Sequence, residues 1–220
     1  MNLELIVLID VPSPEVLFQL EELNFGESHM APVLDQLRIL KLGGLPKLMH
    51  IWKKGPERIL GFGNLRLLEV WGCNSLTYLF SPSIAKLLVM LEEINVYYCE
   101  KIEEILARAG EEEREKDVLF NKVNTIELHN LPNLKCFCSE TNAVDWPSLW
   151  NVRVIKCPSL SMFIPSNLKT PKLRHVFEDY RLNEEIMRPW EGDLNATIQH
   201  IFKGKVWHIL TTNISLMGEF

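Results

Sequence analysis

Residues 65–79, LRLLEVWGCNSLTYL, contain the pattern that decides the fold. Their first, fourth, sixth, ninth, twelfth and fifteenth residues are apolar or cysteine. Four more segments align with this one without a gap: LRILKLGGLPKLMHI from Leu37, LEEINVYYCEKIEEI from Leu91, VNTIELHNLPNLKCF from Val123 and LWNVRVIKCPSLSMF from Leu149. All six positions are apolar or cysteine in all five segments. Because 47% of the chain is hydrophobic, chance does not explain agreement of this extent.

The spacing of these residues has a physical explanation. The first half of each segment ends in alternation, which directs two apolar side chains to one side of a short strand. The later steps of three are typical of a tight turn followed by a helical or 3₁₀ return. One such unit cannot bury its own apolar face, whereas stacked units join their faces into a continuous core. The sequence therefore predicts an α/β leucine-rich-repeat solenoid of about five to seven repeats, with a curved layer of parallel strands, an irregular, 3₁₀ or helical convex side and a C-terminal capping segment.

The repeats also set the expected division of the chain. They begin at intervals of 26 to 32 residues, and a degraded start follows at Leu173. We assign residues 37–179 to the repeats and residues 1–36 to an N-terminal cap or partial repeat. We assign residues 180–220 to a C-terminal capping tail. Within it, residues 193–202 have apolar side chains at helical spacing and begin with an aspartate suited to an N-cap, which predicts a short helix.

A charged run occupies the longest interval between repeats. Residues 109–117, AGEEEREKD, cannot pack inside the molecule. They predict a solvated loop on the convex side, where insertions are tolerated. The alternative is an acidic docking site.

Composition argues against several classes of function. The formal charge of −6 and the isoelectric point near 5.6 disfavour nucleic-acid binding, which needs clustered lysine and arginine. The five cysteines form no CxxC pair, and those at the ninth position occur once per repeat, so we expect a buried ladder and neither a metal site nor a cofactor. No GxSxG or HExxH motif occurs and the six histidines are scattered, so we expect no enzyme.

The chain shows no signal for export or membrane insertion. No apolar run reaches the roughly 18 residues of a membrane-spanning helix. The N-terminus has a short apolar stretch without a basic residue before it, which makes it a poor signal peptide. The odd number of cysteines fits a reducing compartment. We therefore expect a cytoplasmic protein without a membrane span.

Several stretches resemble the C-terminal repeats of plant intracellular immune receptors. They are GCNSLTYLFSPSIAKLLVMLEEINVYYCEKIEEIL from Gly72, LPNLKCFCSE from Leu131 and WPSLWNVRVIKCPSLSMF from Trp146, and the tail RPWEGDLNATIQHIF from Arg188 is similar to the receptors' C-terminal end. Over residues 35–205 the chain thus resembles coiled-coil nucleotide-binding leucine-rich-repeat disease resistance proteins. The resemblance implies a protein-recognition module in plant defence, acting in ligand sensing, autoinhibition or both.

The resemblance does not extend to the nucleotide switch of those receptors. The chain has no GxxxxGK[ST] phosphate loop, and its Gly61-Phe-Gly63 lacks the lysine. The implied partners are proteins, namely a pathogen effector, a guarded host protein or the receptor's own nucleotide-binding domain. Two alternatives stay open: a substrate adaptor of a ubiquitin ligase and a stand-alone interaction scaffold.

The strand residues between the core positions give a candidate binding surface. They are the third, fifth and seventh residues of each segment, which we expect to line the concave face. They include an aromatic row with acidic flanks and two further polar residues: Trp71, Tyr97, His129, Glu69, Glu93, Glu127, Asn95 and Arg153. Aromatic residues are enriched at binding hot spots, and acids favour a basic partner. We therefore predict a protein-binding face; the alternative is that Trp71 and Tyr97 only pack on each other across adjacent strands.

Overall fold

The first half of each aligned segment forms a strand, and these strands pair side by side in one sheet. The computed structural model describes residues 3–19, 32–53, 62–108, 120–139, 146–165, 168–181, 184–189 and 192–201. With strands numbered in chain order, the main sheet contains β1 (Leu5–Ile9), β3 (Ile39–Gly43), β5 (Leu67–Trp71), β6 (Glu93–Tyr97), β8 (Thr125–His129), β10 (Asn151–Ile155), β11 (His175–Arg181) and β12 (Glu184–Pro189). Neighbours are parallel from β1 to β11, and β12 is antiparallel to β11. The predicted leucine-rich-repeat solenoid is confirmed.

The register of the main sheet reproduces the alignment of the sequence. Leu40 pairs with Leu68, Leu68 with Ile94, Ile94 with Ile126, and Ile126 with Val152. These are the fourth residues of the five segments. Because side chains alternate along a strand, this register places the fourth and sixth residues of every repeat on the core side. The third, fifth and seventh residues then share the opposite side.

The core contains all the repeated positions. None of the six repeated side chains in any of the five segments is more than 2% exposed. Each repeat therefore presents its apolar face to its neighbours, and burial of that face is the main favourable term in folding.

A chain of aromatic rings also links consecutive repeats. The rings, nearly all buried, belong to Phe18, Trp52, Phe62, Phe80, Phe120, Phe137, Trp146 and Phe163, and the centroids of contacting rings are 4.8–6.3 Å apart. Trp52 stacks on Phe80 at 5.8 Å, and Phe80 meets Phe120 at 5.2 Å. Offset and edge-on contacts at these distances are favourable beyond the area that they bury.

The segments that return from one main strand to the next contain short strands as well as short helices. β2 (Val16–Gln19) pairs with β4 (His50–Lys53), and β7 (Glu104–Leu106) pairs with β9 (Cys136–Cys138). The helices are α1 (Pro32–Asp35), α2 (Pro82–Leu87) and α3 at residues 194–201. Apolar residues spaced three apart are compatible with a turn followed by an extended stretch as well as with a 3₁₀ turn. In the extended stretches, pairing with the neighbouring return satisfies the backbone N–H and C=O groups.

One backbone conformation recurs where the main strands end. The eighth residue of each aligned segment, and its equivalent after β1, has φ between +51° and +61°; these residues are Asp10, Gly44, Gly72, Tyr98, Asn130 and Lys156. The backbone N–H of Gly44 donates to the carbonyl of Trp71 at 3.0 Å, and that of Gly72 donates to the carbonyl of Tyr97 at 3.1 Å. The left-handed residue thus ties each strand end to the next repeat.

The ninth-position cysteines follow this turn and are free and buried. The thiols of Cys73, Cys99 and Cys157 each donate to the carbonyl oxygen two residues earlier, at 3.6, 3.3 and 3.5 Å. A hydrogen bond with Cys73, together with burial, raises the pKa of the Cys99 thiol above its ordinary value. Burial also raises the pKa of Cys136 to about 11. The Cys99 and Cys136 thiols are therefore neutral core side chains near pH 7.

The two ends of the main sheet differ. At the C-terminal end, α3 buries Leu194, Ile198 and Ile201, and the Ala196 N–H donates to Asp193 Oδ1 at 2.8 Å, a capping contact. At the other end, β1 and β2 lie within the segment assigned to a cap or partial repeat. The proposed boundaries after residues 36 and 179 remain predictions. The charged run at 109–117 lies outside the described residues.

Candidate protein-binding face

The side chains of the main sheet that point away from the core form three rows across the strands. We call this side the open face. Next to the strand ends, a row reads Gly43, Trp71, Tyr97, His129 and Ile155. The middle row reads Lys41, Glu69, Asn95, Glu127, Arg153 and Phe177. The first row reads Ile39, Leu67, Glu93, Thr125 and Asn151. All eight predicted binding residues lie on this face.

Charges in the middle row are paired across neighbouring strands. Lys41 Nζ lies 3.0 Å from Glu69 Oε2, and Arg153 Nε lies 3.2 Å from Glu127 Oε1. Tyr97 donates its hydroxyl to the other oxygen of Glu127 at 2.7 Å. Glu69 and Glu127, two of the three predicted acidic residues, are thus each paired with a cation on an adjacent strand. This pairing weakens the argument for a basic partner.

The aromatic side chains of the open face are held by specific neighbours. The Trp71 indole lies over Gly43, where a Cβ atom would overlap the ring, so a larger residue at position 43 would displace the indole. The Tyr97 ring meets His129 edge to face at 5.0 Å. Farther along the sheet, the Arg153 guanidinium carbon lies 4.5 Å from the centroid of the Phe177 ring. Trp71 is therefore positioned by a residue of β3, whereas Tyr97 is positioned by residues of β8.

His129 is electrostatically biased towards its neutral form. Burial lowers its pKa, the Glu127 carboxylate opposes that shift, and the Arg153 guanidinium reinforces it. Its Nε2 is buried and has no hydrogen-bond partner among the residues that the structure describes. An imidazole in this state presents one donor and one acceptor and carries no charge.

Two asparagines on the open face have unsatisfied amide oxygens. Asn95 is 8% exposed and Asn151 is 9% exposed. The Oδ1 atom of each is buried without a hydrogen-bond partner in the described ranges. Leaving such a group unpaired costs about 1–3 kcal/mol. Asn95 was among the predicted binding residues, but Asn151 was not, although it occupies the third position of its segment.

The half of the open face nearest β1 is largely apolar, apart from the ion pair between Lys41 and Glu69. Leu5, Val7 and Ile9 are exposed on β1, and Ile39 and Leu67 continue this surface as half-buried side chains. The predicted binding residues did not include any on β1, because residues 1–36 were assigned to a cap or partial repeat. The run of five apolar residues in LIVLI, rich in β-branched side chains, was the signal that could have identified the strand.

Other features of the surface offer less for recognition. A shallow cavity of about 340 Å³ is lined by Thr77, Tyr78, Glu103, Glu104, Ala107 and Arg108. Its charges are partly satisfied internally, since Arg108 Nε lies 3.6 Å from Glu104 Oε1. Over the described ranges, no three His, Cys, Asp or Glu side chains converge as metal ligands. No helix in those same ranges is long and apolar enough to cross a membrane.

Comparisons with known proteins agree with this geometry. The sequence profile of the plant disease resistance protein RPS2-like leucine-rich repeats matches residues 1–100 and 90–177. A "probable disease resistance protein" of Arabidopsis thaliana is 35% identical over 107 residues, which are 47% of this chain and 11% of that protein. The chain therefore matches only a small part of this curated relative's length. No solved structure matches the chain.

Proposed function

We propose that this chain, which belongs to the RPS2-like leucine-rich-repeat family of plant disease resistance proteins, is the protein-recognition module of an intracellular immune receptor. It senses a pathogen effector or a guarded host protein, or restrains the receptor's own nucleotide-binding domain, or does both. The module binds a protein partner, takes no cofactor and catalyses no reaction.

The aromatic row of the open face is the observation that carries this proposal. Trp71, Tyr97 and His129 occupy successive strands at the same register, and each is only partly buried. Gly43 and Glu127 hold two of these side chains in place. Aromatic side chains that are already ordered lose little entropy on binding, which is the property of interface hot spots.

A cytoplasmic location is part of the proposal. All five cysteines are buried and free. Free thiols in such numbers are typical of reducing compartments, since secreted proteins tend to oxidise them.

The test is the double variant Trp71→Ala/Tyr97→Ala in an affinity capture from leaf extract, followed by mass spectrometry. We expect the variant to keep the circular dichroism spectrum of the wild type and to lose about thirtyfold in partner capture, which corresponds to one hot spot of about 2 kcal/mol. Trp150→Ala is the matched control, because Trp150 is 55% exposed and lies outside the three rows.

The identity of the captured protein separates the two proposed roles. A nucleotide-binding domain indicates autoinhibition, whereas a pathogen protein or another host protein indicates sensing. Recovery of ubiquitin-ligase subunits would instead favour the adaptor function. A folded double variant that captures as much partner as the wild type would contradict the proposed face.

A further inference from the structure

We infer that the open face binds an amphipathic helix of a protein partner, seated across β1, β3, β5 and β6, with a lysine or arginine of that helix at Glu93. This inference rests on the proposed recognition function and specifies which kind of segment the partner presents. The helix lies on the row next to the strand starts, to which β1 adds Leu5, and not on the aromatic row at the strand ends.

Aliphatic side chains lead up to Glu93 across three neighbouring strands. Leu5, Ile39 and Leu67 stand at the same level of β1, β3 and β5, and we call them the aliphatic row. Glu93 follows at that level on β6. Leu5 is 50% exposed and the other two are half-buried, so each retains apolar surface that a partner can cover. Removing such surface from water is the main favourable term in most protein association.

Glu93 is the acid of the open face whose charge no described neighbour balances. Of the other charged side chains that this face carries on β1 to β10, Lys41 lies 3.0 Å from Glu69. Arg153 lies 3.2 Å from Glu127. These four charges cancel in pairs, which leaves the Glu93 carboxylate as the charge available to a partner.

The immediate neighbours of Glu93 supply no cation among the described residues. Leu67 and Thr125 flank it on the adjacent strands. Arg66, next to Leu67 in the sequence, places its guanidinium 3.1 Å from Glu92 instead. A half-buried carboxylate beside apolar surface attracts a lysine or arginine of the partner and repels an acid, so it determines which segments fit.

The spacing of the strands favours a helix over an extended segment. Neighbouring strands lie about 4.8 Å apart, so the row from Leu5 to Glu93 extends about 14 Å. Side chains on one face of an α-helix recur about every 5.4 Å, whereas those on one side of an extended chain recur about every 6.6 Å. Over three steps the helix departs from the strand spacing by about 2 Å and the extended chain by about 5 Å. A helix therefore places one aliphatic side chain over each of three strands and a cation over the fourth.

The ion pair of Lys41 and Glu69 explains why the helix should be amphipathic. These two residues lie two positions farther along their strands than the aliphatic row, about 6.6 Å away from it. A helix about 10 Å wide reaches the pair with the side chains that flank its apolar stripe. Polar flanks keep the ion pair hydrated or hydrogen bonded, whereas an entirely apolar helix would bury it at a cost in free energy.

The test is a selection from helices displayed on phage, with one face of a stable α-helix randomised over four successive turns. The full chain is the target, as the wild type and as Glu93→Arg. Helices selected on the wild type should have aliphatic residues on three successive turns and lysine or arginine on the fourth. Helices selected on Glu93→Arg should have an acid in place of that cation. Such an exchange of charge preference requires direct contact with position 93, so it separates recognition from a loss of folding.

Affinities of the selected helices, synthesised as peptides, provide the second measurement. By calorimetry, Glu93→Arg and Leu5→Ser should each bind the helices selected on the wild type at least about tenfold more weakly. Leu5 is half exposed, so its replacement removes apolar contact with little loss of stability. The matched controls are Glu100→Arg and Val89→Ser, since Glu100 and Val89 are exposed and lie outside the open face.

Four results would overturn the inference. They are selected helices without the aliphatic and cationic pattern, an unchanged charge preference on Glu93→Arg, equal affinity of the wild type and both variants, and dimers of the wild type in analytical ultracentrifugation that Leu5→Ser dissociates. The last result would assign the aliphatic row to a second copy of the chain. None of these contradicts the proposed function, which fails only if whole-protein capture survives in the folded Trp71→Ala/Tyr97→Ala variant. The two failures are therefore distinguishable.

Discussion

At the scale of single residues, the turn after each main strand explains a position that the repeat pattern leaves open. The eighth residue varies among glycine, tyrosine, asparagine and lysine, yet its backbone is left-handed in every repeat. A hydrogen bond across repeats enforces this conformation, as shown by the Tyr98 N–H, which donates to the His129 carbonyl at 3.0 Å. Tyr98 therefore adopts a conformation that suits glycine and asparagine far better than tyrosine.

We expect Tyr98→Gly to stabilise the protein by up to about 1 kcal/mol. Glycine removes the steric cost of φ +54°, and the Tyr98 side chain is 63% exposed, so little burial is lost. Part of the gain is offset by the greater freedom of glycine in the unfolded chain. Urea unfolding followed by circular dichroism measures the difference. Asn130→Gly is the control and should change stability less, since asparagine tolerates the same conformation; a lower urea midpoint for Tyr98→Gly would refute this account.

His129 gives the molecule a predictable response to pH. Burial lowers its folded pKa beneath the unfolded value near 6.5, so the unfolded chain takes up a proton first as the pH falls. The contribution of the neutral imidazole to stability is therefore complete above about pH 6.5 and declines as the pH falls through that value towards the folded pKa. We expect the wild type to lose more melting temperature than His129→Gln between pH 7.5 and pH 5.5. Parallel losses in the two proteins would show that His129 does not contribute.

At the scale of elements, the sequence predicts the main strands well and the returns less well. The main strands follow from local alternation together with in-register stacking, both of which are visible in the repeat. The conformation of a return depends on whether the neighbouring return offers backbone partners, as β7 and β9 do for each other, and spacing within one repeat does not contain that information. In the repeat that contains β1, proline stands at the twelfth position, as Pro14, where the five aligned segments have leucine or isoleucine. This departure makes the repeat hard to recognise in the sequence.

The candidate binding face was likewise predicted in part: the sequence indicates which residues share the face but not how their side chains pair. Alternation is enough to place Trp71, Glu93 and Arg153 on one face. The pairing of Glu69 with Lys41, and of Glu127 with Tyr97, depends on side-chain conformations across strands. The acidic character inferred from the sequence was therefore greater than the charge that the folded surface presents.

The aromatic chain allows a prediction about how the elements hold together. Phe80 is fully buried and its ring touches those of Trp52 and Phe120, so it connects the returns on either side of it. Phe80→Ala should lower the free energy of unfolding by about 3–5 kcal/mol through lost burial and the cavity that remains. Phe80→Leu, which refills part of that cavity, should cost clearly less. Chemical denaturation of both variants tests this, and equal losses would show that the ring contacts contribute little.

At the scale of the whole molecule, the repeats depend on their neighbours. Each repeat buries its apolar side chains against the repeat before it and the repeat after it, with little else to cover them. A solenoid of this kind gains stability from nearest-neighbour interfaces, so a defect in one repeat removes two of them. Damage should then spread along the chain on both sides of the altered strand.

Ile94→Asp tests this coupling. Ile94 is fully buried on the core side of β6 and pairs with Leu68 on β5 and Ile126 on β8. An unpaired carboxylate at this position should unfold the adjoining repeats together, because burying it costs several kcal/mol. Hydrogen exchange measured by mass spectrometry should show that β5, β6 and β8 all lose protection. The control is Glu93→Asp, which places the same side chain one residue earlier on the half-buried open face and should leave exchange almost unchanged. Loss of protection confined to β6 would mean that the repeats are less dependent on one another than their shared core indicates, and a native exchange pattern in Ile94→Asp would contradict the register of the sheet itself.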